Sequence, residues 1–264
     1  MAKFEKANSV GEWLDQRLNL TTFNKVMMTE YWIPKDINFL WAMGVLLATT
    51  FSILIISGLF LMMYYKPDVA LAFDSVNYTI MQEVAFGWLF RHMHGVAASV
   101  VFLIIYIHML TGIYYGSYKQ GREMIWISGM LLFVTFSAAG FSGYMLPWGQ
   151  MSYWAAMVIT NLFGGVPVIG DALVVWIRGD FNVADATLTR FFMLHVFLLP
   201  IAIMGLIGLH FYTLRIPHVN NQNAEELDFD AEAEKYLSGK KKESKVIPFW
   251  PVFISKDLAV LGIF

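Results

Sequence analysis

Six histidines occur in the chain, and four lie inside long apolar stretches: His94, His108, His195 and His210. A histidine in hydrocarbon is costly and is normally kept for function. One alone reads as a satisfied core group; four in this arrangement do not. The fourteen residues from His94 to His108, at about 100° each, return to within about 40° of the starting direction, about 21 Å further along a helix. The fifteen residues from His195 to His210 do nearly the same. Each helix therefore presents two imidazoles on one face, one near each membrane surface. Two such helices side by side make two bis-imidazole sites, and cofactors in bundles are held between facing helices in this way. Haem iron held by two histidines is six-coordinate, which suits electron transfer rather than oxygen binding. The chain has no cysteine, which excludes disulfides, iron–sulfur clusters, zinc–thiolate sites and thioether-linked haem.

Glycines repeat the interval. Gly44 and Gly58 are fourteen apart, and so are Gly129 and Gly143. A glycine lets a flat ring lie against the backbone. Glycine in membrane helices more often serves helix contact, but two pairs matching the histidine interval suggest porphyrin edges at two depths. Arg91, three residues before His94, shares its face, and Arg190 lies at the same end of its helix; both are candidates for pairing with haem propionates. Snorkelling at a helix end explains Arg190 equally well.

The elements that must carry these residues are four apolar stretches, each long enough to cross a bilayer at roughly 20 residues. Span A runs over about 39–65, B over 86–115, C over 125–146 and D over 188–214. Before A, Val10, Trp13, Leu14 and Leu18 share one face, which predicts an amphipathic helix on the membrane surface within an N-terminal segment 1–35. The start, MAKFEKANSVGEWLDQRLNL, has no apolar core and predicts no cleaved signal peptide. The four-span region is expected over 36–218. Between C and D, residues 147–185 are apolar but broken by Pro147, Gly149, Gly164, Gly165, Pro167 and Gly170, which predicts short surface helices rather than a span. Residues 219–247 read as a polar connector. The ending, 248–264, turns apolar again like the first turns of another membrane helix, cut short.

Composition agrees with an all-α transmembrane class: 58% of residues are hydrophobic and only 14% charged, against about 25% in soluble domains. The net charge of −2 gives no support to a nucleic-acid partner. Of the 18 Lys and Arg, 14 fall in the N-terminal segment, the B–C loop and the part after D. The positive-inside rule then puts the N-terminus in the cytoplasm, pairing His94 with His195 outside and His108 with His210 inside.

These residues resemble the cytochrome b family of the quinol-oxidising cytochrome bc complexes, over nearly the whole chain. The resemblance is carried by GLFLMMYY at 58–65, GWLFRHMHGVAAS at 87–99, GIYYGSYKQGRE at 112–123, SGYMLPWGQMSYWAAMVITN at 142–161 and RFFMLH at 190–195. It implies two haem b groups, low-potential outside and high-potential inside. It also implies an outer quinol-oxidising pocket walled by the segment holding Tyr144, Pro147, Trp148, Gly149 and Ala155. An inner quinone-reducing site at Lys256 and Asp257 follows, with Trp126 near the inner haem. The implied partners are a Rieske iron–sulfur protein, a c-type cytochrome, the C-terminal region of cytochrome b and a second copy of the complex, in a bacterial cytoplasmic membrane.

Three positions depart from the family pattern. The His195–His210 interval is fifteen, as in plastid-type relatives. Thr111 stands where the family usually has a propionate arginine. Arg215, five after His210, replaces a histidine of mitochondrial forms. The PEWY-like motif of the later helices is missing although the IPFWP-like segment is present, which implies a longer, fused chain. Two other classes share some features: a dihaem membrane anchor of a dehydrogenase or hydrogenase, and a transporter with a histidine proton relay.

Overall fold

The computed structural model of the protein describes residues 7–119 and 121–264. The first six residues of the N-terminal segment, and with them part of the signal-peptide expectation, lie outside the described residues, as does Gln120 of the B–C loop. Among the described residues four helices are long and apolar enough to cross a membrane: A, Phe39–Met62; B, Gly87–Tyr114; C, Glu123–Met145; and D, Asp185–Arg215. Each lies within a few residues of its expected bounds. A stretch such as 43–62, with neither proline nor charge, satisfies every backbone group by its own helical bonds, the condition for crossing hydrocarbon. Only 6% of the apolar window of span C is fully buried by the rest of the chain.

Span D is not one uniform helix. It runs as α-helix over Asp185–Met193, as π-helix over Leu194–Leu198 and as α-helix again over Leu199–Arg215. Pro200 supplies the cause: it has no N–H for the carbonyl four residues back, and its ring crowds that carbonyl. The ladder shifts to i→i+5 bonds just ahead of it.

The chain divides into two compact units. The larger, residues 47–107 and 123–211, holds most of the four spans and the two surface helices expected between C and D, here Gln150–Leu162 and Gly170–Arg178. Its spans interlock through ring contacts. Phe51 meets Phe136 edge-on, Phe60 stacks on Phe90 at 3.9 Å, and Tyr106 meets Phe133. Under the end of C, Met145, Ala156, Val183 and Phe191 form a buried cluster. The surface helices are tied by buried Arg178, which donates to Thr160 Oγ1 at 2.9 Å, Asn161 Oδ1 at 2.9 Å and the Phe181 carbonyl at 3.1 Å.

The smaller unit comprises, among the described residues, those before 47, those of 108–122 and 212–264. Two short strands, β1 (Trp32–Pro34) and β2 (Val246–Pro248), pair antiparallel with Ile33 opposite Ile247. Tyr31, Ile33, Ile247 and Phe253 form its buried cluster. The helix Val10–Leu18 begins at Ser9, whose side chain accepts from the Glu12 N–H. Val10, Trp13 and Leu18 remain exposed, as a surface-lying apolar face would be.

Residues 219–247 are more ordered than a solvated connector. They contain the helix Phe229–Leu237, capped by Asp228 through the Ala231 N–H at 3.1 Å. Phe229 stacks on His218 at 4.1 Å and Tyr236 meets Trp32 edge-on. Those two aromatics give a polar segment an apolar face to bury.

Candidate functional site

The larger unit brings His94 of span B against His195 of span D, with ring centroids 6.1 Å apart and planes 80° apart. A metal–imidazole bond of about 2 Å, plus about 1 Å from nitrogen to ring centre, puts two imidazoles on opposite sides of one metal with centroids about 6 Å apart. The observed separation meets that requirement. Among the described residues no group of three or more His, Asp or Glu side chains is placed to hold a metal ion. A two-histidine donor set suits a metal whose other ligands come with it, as in a porphyrin.

The hydrogen bonds of these rings fall on Nδ1. His195 Nδ1 lies 2.9 Å from the Ala139 carbonyl, which can only accept, so Nδ1 carries the proton and Nε2 the lone pair. His94 Nδ1 lies 3.0 Å from Ser57 Oγ, whose own proton goes to the Ile53 carbonyl at 2.6 Å. His210 Nδ1 lies 2.9 Å from Ser128 Oγ, which donates to the Ile125 carbonyl at 3.0 Å. In each case the hydroxyl proton is committed, so Nδ1–H donates and Nε2 presents its lone pair. Metal-bound histidines are held by this kind of contact.

The glycines explain how the rings come so close. A Cβ added at Gly58 would meet His94 Cε1 at 3.2 Å, one at Gly129 would meet His210 Cε1 at 3.3 Å, and one at Gly143 would clash with the His195 ring, 2.9 Å from Nδ1. At Gly44 a Cβ would meet nothing within 4 Å. Three of the four glycines thus admit a histidine ring to the backbone, and the fourth faces open space.

The π turn settles the fifteen-residue interval on D. Fifteen α-helical residues would leave His210 about 60° past the direction of His195. One π turn absorbs one residue, so the interval behaves as fourteen, matching span B.

Arg91 lines a cavity of about 450 Å³ together with Phe73, His92, Gly95 and Pro147. It has no carboxylate partner among the described residues. Tyr144, Trp148, Gly149 and Ala155 do not line this cavity. Tyr144 is exposed, and its carbonyl accepts from Ser152 Oγ at 2.8 Å. Trp148 sits at φ 52° and Gly149 caps the Gln150–Leu162 helix, on which Ala155 is half-buried. Arg190 folds over the Gly179 turn and donates to the Trp176 carbonyl.

In the smaller unit the Arg215 guanidinium lies 3.8 Å over Tyr31 and 4.7 Å over Phe249. Tyr31 in turn stacks on His218 at 4.9 Å. Burial pushes the Tyr31 phenol up to about 12 and holds His218 below its usual value. Lys256 and half-buried Asp257 lie on the helix Ile254–Ile263. Trp126 is half-buried on span C.

Sequence reasoning missed Ser57, Ser128 and Ser142. The signal was present: each immediately precedes one of the glycines, Gly58, Gly129 and Gly143.

Four apolar spans, with histidines of two of them facing one another beside glycine gaps, define an all-α membrane protein of the electron-transport cytochrome class. The chain belongs to the cytochrome b family: the family profile described as Cytochrome b/b6/petB matches residues 28–217. A cytochrome b of Allochromatium vinosum is 44% identical over 252 residues, covering 96% of this chain and 60% of that protein. A cytochrome b of Rickettsia conorii is 42% identical over 260 residues, covering 98% and 61%. A solved structure described as a hyperthermophilic respiratory complex III matches with a TM-score of 0.81 at 38% identity, over 96% of this chain and 64% of that one. The chain spans about 60% of the length of the curated relatives it matches.

Proposed function

We propose that this chain is the dihaem cytochrome b subunit of a quinol–cytochrome c oxidoreductase. His94 and His195 hold the outer haem b, and His108 and His210 the inner one. The observation that carries the reading is the His94–His195 pair: its ring separation, with the Nδ1 atoms against Ser57 Oγ and the Ala139 carbonyl, would let the two side chains hold one haem iron between them. Haem b supplies reversible one-electron transfer. The chain's own residues do the rest. Gly44, Gly58, Gly129 and Gly143 leave room for flat rings against the helices. Arg91, with no carboxylate partner among the described residues, offers a guanidinium to a propionate, and Arg190 stands at the same end.

Quinol is oxidised at an outer pocket to which Tyr144, Pro147, Trp148, Gly149 and Ala155 contribute walls. Quinone is reduced at an inner site where Lys256 and Arg215 supply positive charge and Asp257 a proton, with Trp126 toward the inner haem. Protons leave outside and enter inside, which translocates charge. A Rieske iron–sulfur protein, a c-type cytochrome and the later helices of cytochrome b complete the complex, which is dimeric. It lies in a bacterial cytoplasmic membrane with the N-terminus cytoplasmic, as the Lys and Arg distribution supports. The regions 1–35, 36–218, 219–247 and 248–264 serve as surface segment, dihaem core, connector and start of a further region.

The test is a redox titration of His94→Leu and His210→Leu in the whole complex. Each variant keeps one b-type centre, and the surviving midpoint differs between the two. Loss of the same centre in both overturns the pairing. No b-type absorption in the unmodified complex overturns the function.

A further inference from the structure

Three histidine rings share one environment. His94, His195 and His210 each approach a neighbouring helix where a Ser–Gly pair stands: Ser57–Gly58, Ser142–Gly143 and Ser128–Gly129. At His195 a helix carbonyl also meets the ring: Ala139, four residues before Gly143, lies 2.9 Å from Nδ1. The glycine lets the ring approach the helix, and the serine places an oxygen beside it. All three serines are buried, at 0–1% exposure. Each donates its only proton to a carbonyl of its own helix, at 2.6–3.0 Å. The oxygen that faces Nδ1 is therefore an acceptor.

The contacts are unequal. Ser57 and Ser128 lie 3.0 and 2.9 Å from their Nδ1 atoms, while Ser142 lies 3.4 Å from His195, whose proton goes to the Ala139 carbonyl at 2.9 Å. A hydrogen bond at 3.4 Å adds little beside one at 2.9 Å.

We propose that Ser57 and Ser128 are positioning residues that set the orientation and electron-donating strength of His94 and His210, and through them the midpoint potentials of the two haems, whereas Ser142 is nearly silent. The inference rests on the haem-ligand reading above. An acceptor on Nδ1–H makes the imidazole a stronger donor through Nε2. A stronger donor favours ferric over ferrous iron, so each hydroxyl lowers the potential of its own centre. Without the hydroxyl, that acceptor on Nδ1–H is lost and the ring is held less firmly.

The experiment uses the whole complex with Ser57→Ala, Ser128→Ala and Ser142→Ala, and Ser52→Ala as control. Ser52 lies on the same span as Ser57 and donates to the Ala48 carbonyl. Midpoints and low-spin EPR spectra are read for both haems. Ser57→Ala should raise the outer midpoint alone and Ser128→Ala the inner one alone. Each should shift the reduced-to-oxidised ratio by up to about tenfold, or about 59 mV for one electron, with changed g anisotropy. Ser142→Ala and Ser52→Ala should leave both centres in place. Where an alanine variant does not assemble, Ser→Cys keeps the unbranched shape and a donor, slightly enlarged, with a much weaker acceptor, and should shift the same centre in the same direction. Loaded haems with unmoved midpoints in the Ser57 and Ser128 variants overturn the inference and leave the ligand assignment standing. A Ser142→Ala shift as large as the others overturns it too. Failure of the histidine substitutions to remove haem is a failure of the functional reading instead.

Discussion

Ser57 Oγ stands 3.0 Å from His94 Nδ1 while Gly58, the next residue, would place a Cβ 3.2 Å from the same ring. One residue holds the imidazole, and its neighbour makes room for it. The Ser128–Gly129 pair repeats the relationship at His210. The same two-residue device thus occurs on spans A and C, which carry none of the four histidines.

The glycines should therefore differ in tolerance. Gly143→Ala puts a Cβ 2.9 Å from His195 Nδ1, too close for any real Cβ contact, so the ring that meets the Ala139 carbonyl must shift. Overpacking of this kind costs about 1–3 kcal/mol. Gly58→Ala and Gly129→Ala ask the rings to yield only a few tenths of an ångström, and Gly44→Ala meets nothing in the chain itself. Haem content per complex, measured as the pyridine haemochrome, should fall most in Gly143→Ala and least in Gly44→Ala. Equal loss in all four would mean that the glycines act through helix packing alone.

The histidine and glycine intervals were legible in the sequence because helical periodicity is regular, and the spans because length and apolarity suffice to define them. The fifteen-residue interval on D was only half legible. Counting residues treats every turn alike, whereas Pro200 imposes a π turn at Leu194–Leu198 that removes the extra residue. Ser57, Ser128 and Ser142 escaped because a hydroxyl in a span reads as bonded to its own helix. That is true of all three, but their second partner lies across the bundle. The connector misled by composition: its charge is high, yet Phe229 and Tyr236 suffice to dock it.

The connector also carries a pH-dependent latch. Buried Glu232 accepts from Lys235 Nζ at 2.6 Å and from the Lys245 N–H at 2.7 Å, and its carbonyl accepts from Ser244 Oγ. The Lys235 contact first, and then the Lys245 N–H, hold its carboxyl below the usual value. A carboxylate depressed in the folded state contributes stability that is present above its unfolded pKa and is lost as pH falls through the folded one. Protection of the Lys245 amide against hydrogen exchange, taken relative to the intrinsic rate at each pH, should therefore fall as pH drops below the ordinary glutamate range in the unmodified chain. In Glu232→Ala protection should be low at every pH, and a neutral-pH protection equal to wild type would remove Glu232 from the latch.

Arg178 has a different task from Arg91. It is buried, at 5% exposure, and all three of its described partners are neutral: Thr160, Asn161 and the Phe181 carbonyl. A buried cation is tolerated when its donors are matched by acceptors in the right directions, and the planar guanidinium fork reaches three acceptors that no single ammonium can serve. The residue joins the end of the Gln150–Leu162 helix to the turn after Gly170–Arg178. Arg178→Met leaves those acceptors without a donor, and hydrogen bonds to a charged group contribute about 1.5–3 kcal/mol each. The loss is shared, because Thr160 keeps its own bond to the Ala156 carbonyl. A net destabilisation of about 2–4 kcal/mol is expected. It should appear as proteolytic cleavage near residues 179–184 in detergent-solubilised complex at temperatures where wild type resists. Arg178→Lys should be nearly as sensitive, because one nitrogen replaces a fork. Both haem midpoints should stay at their wild-type values in the variants that assemble, since none of the contacts of Arg178 involves a histidine. A lysine variant as resistant as wild type would show that charge alone holds the two surface helices together.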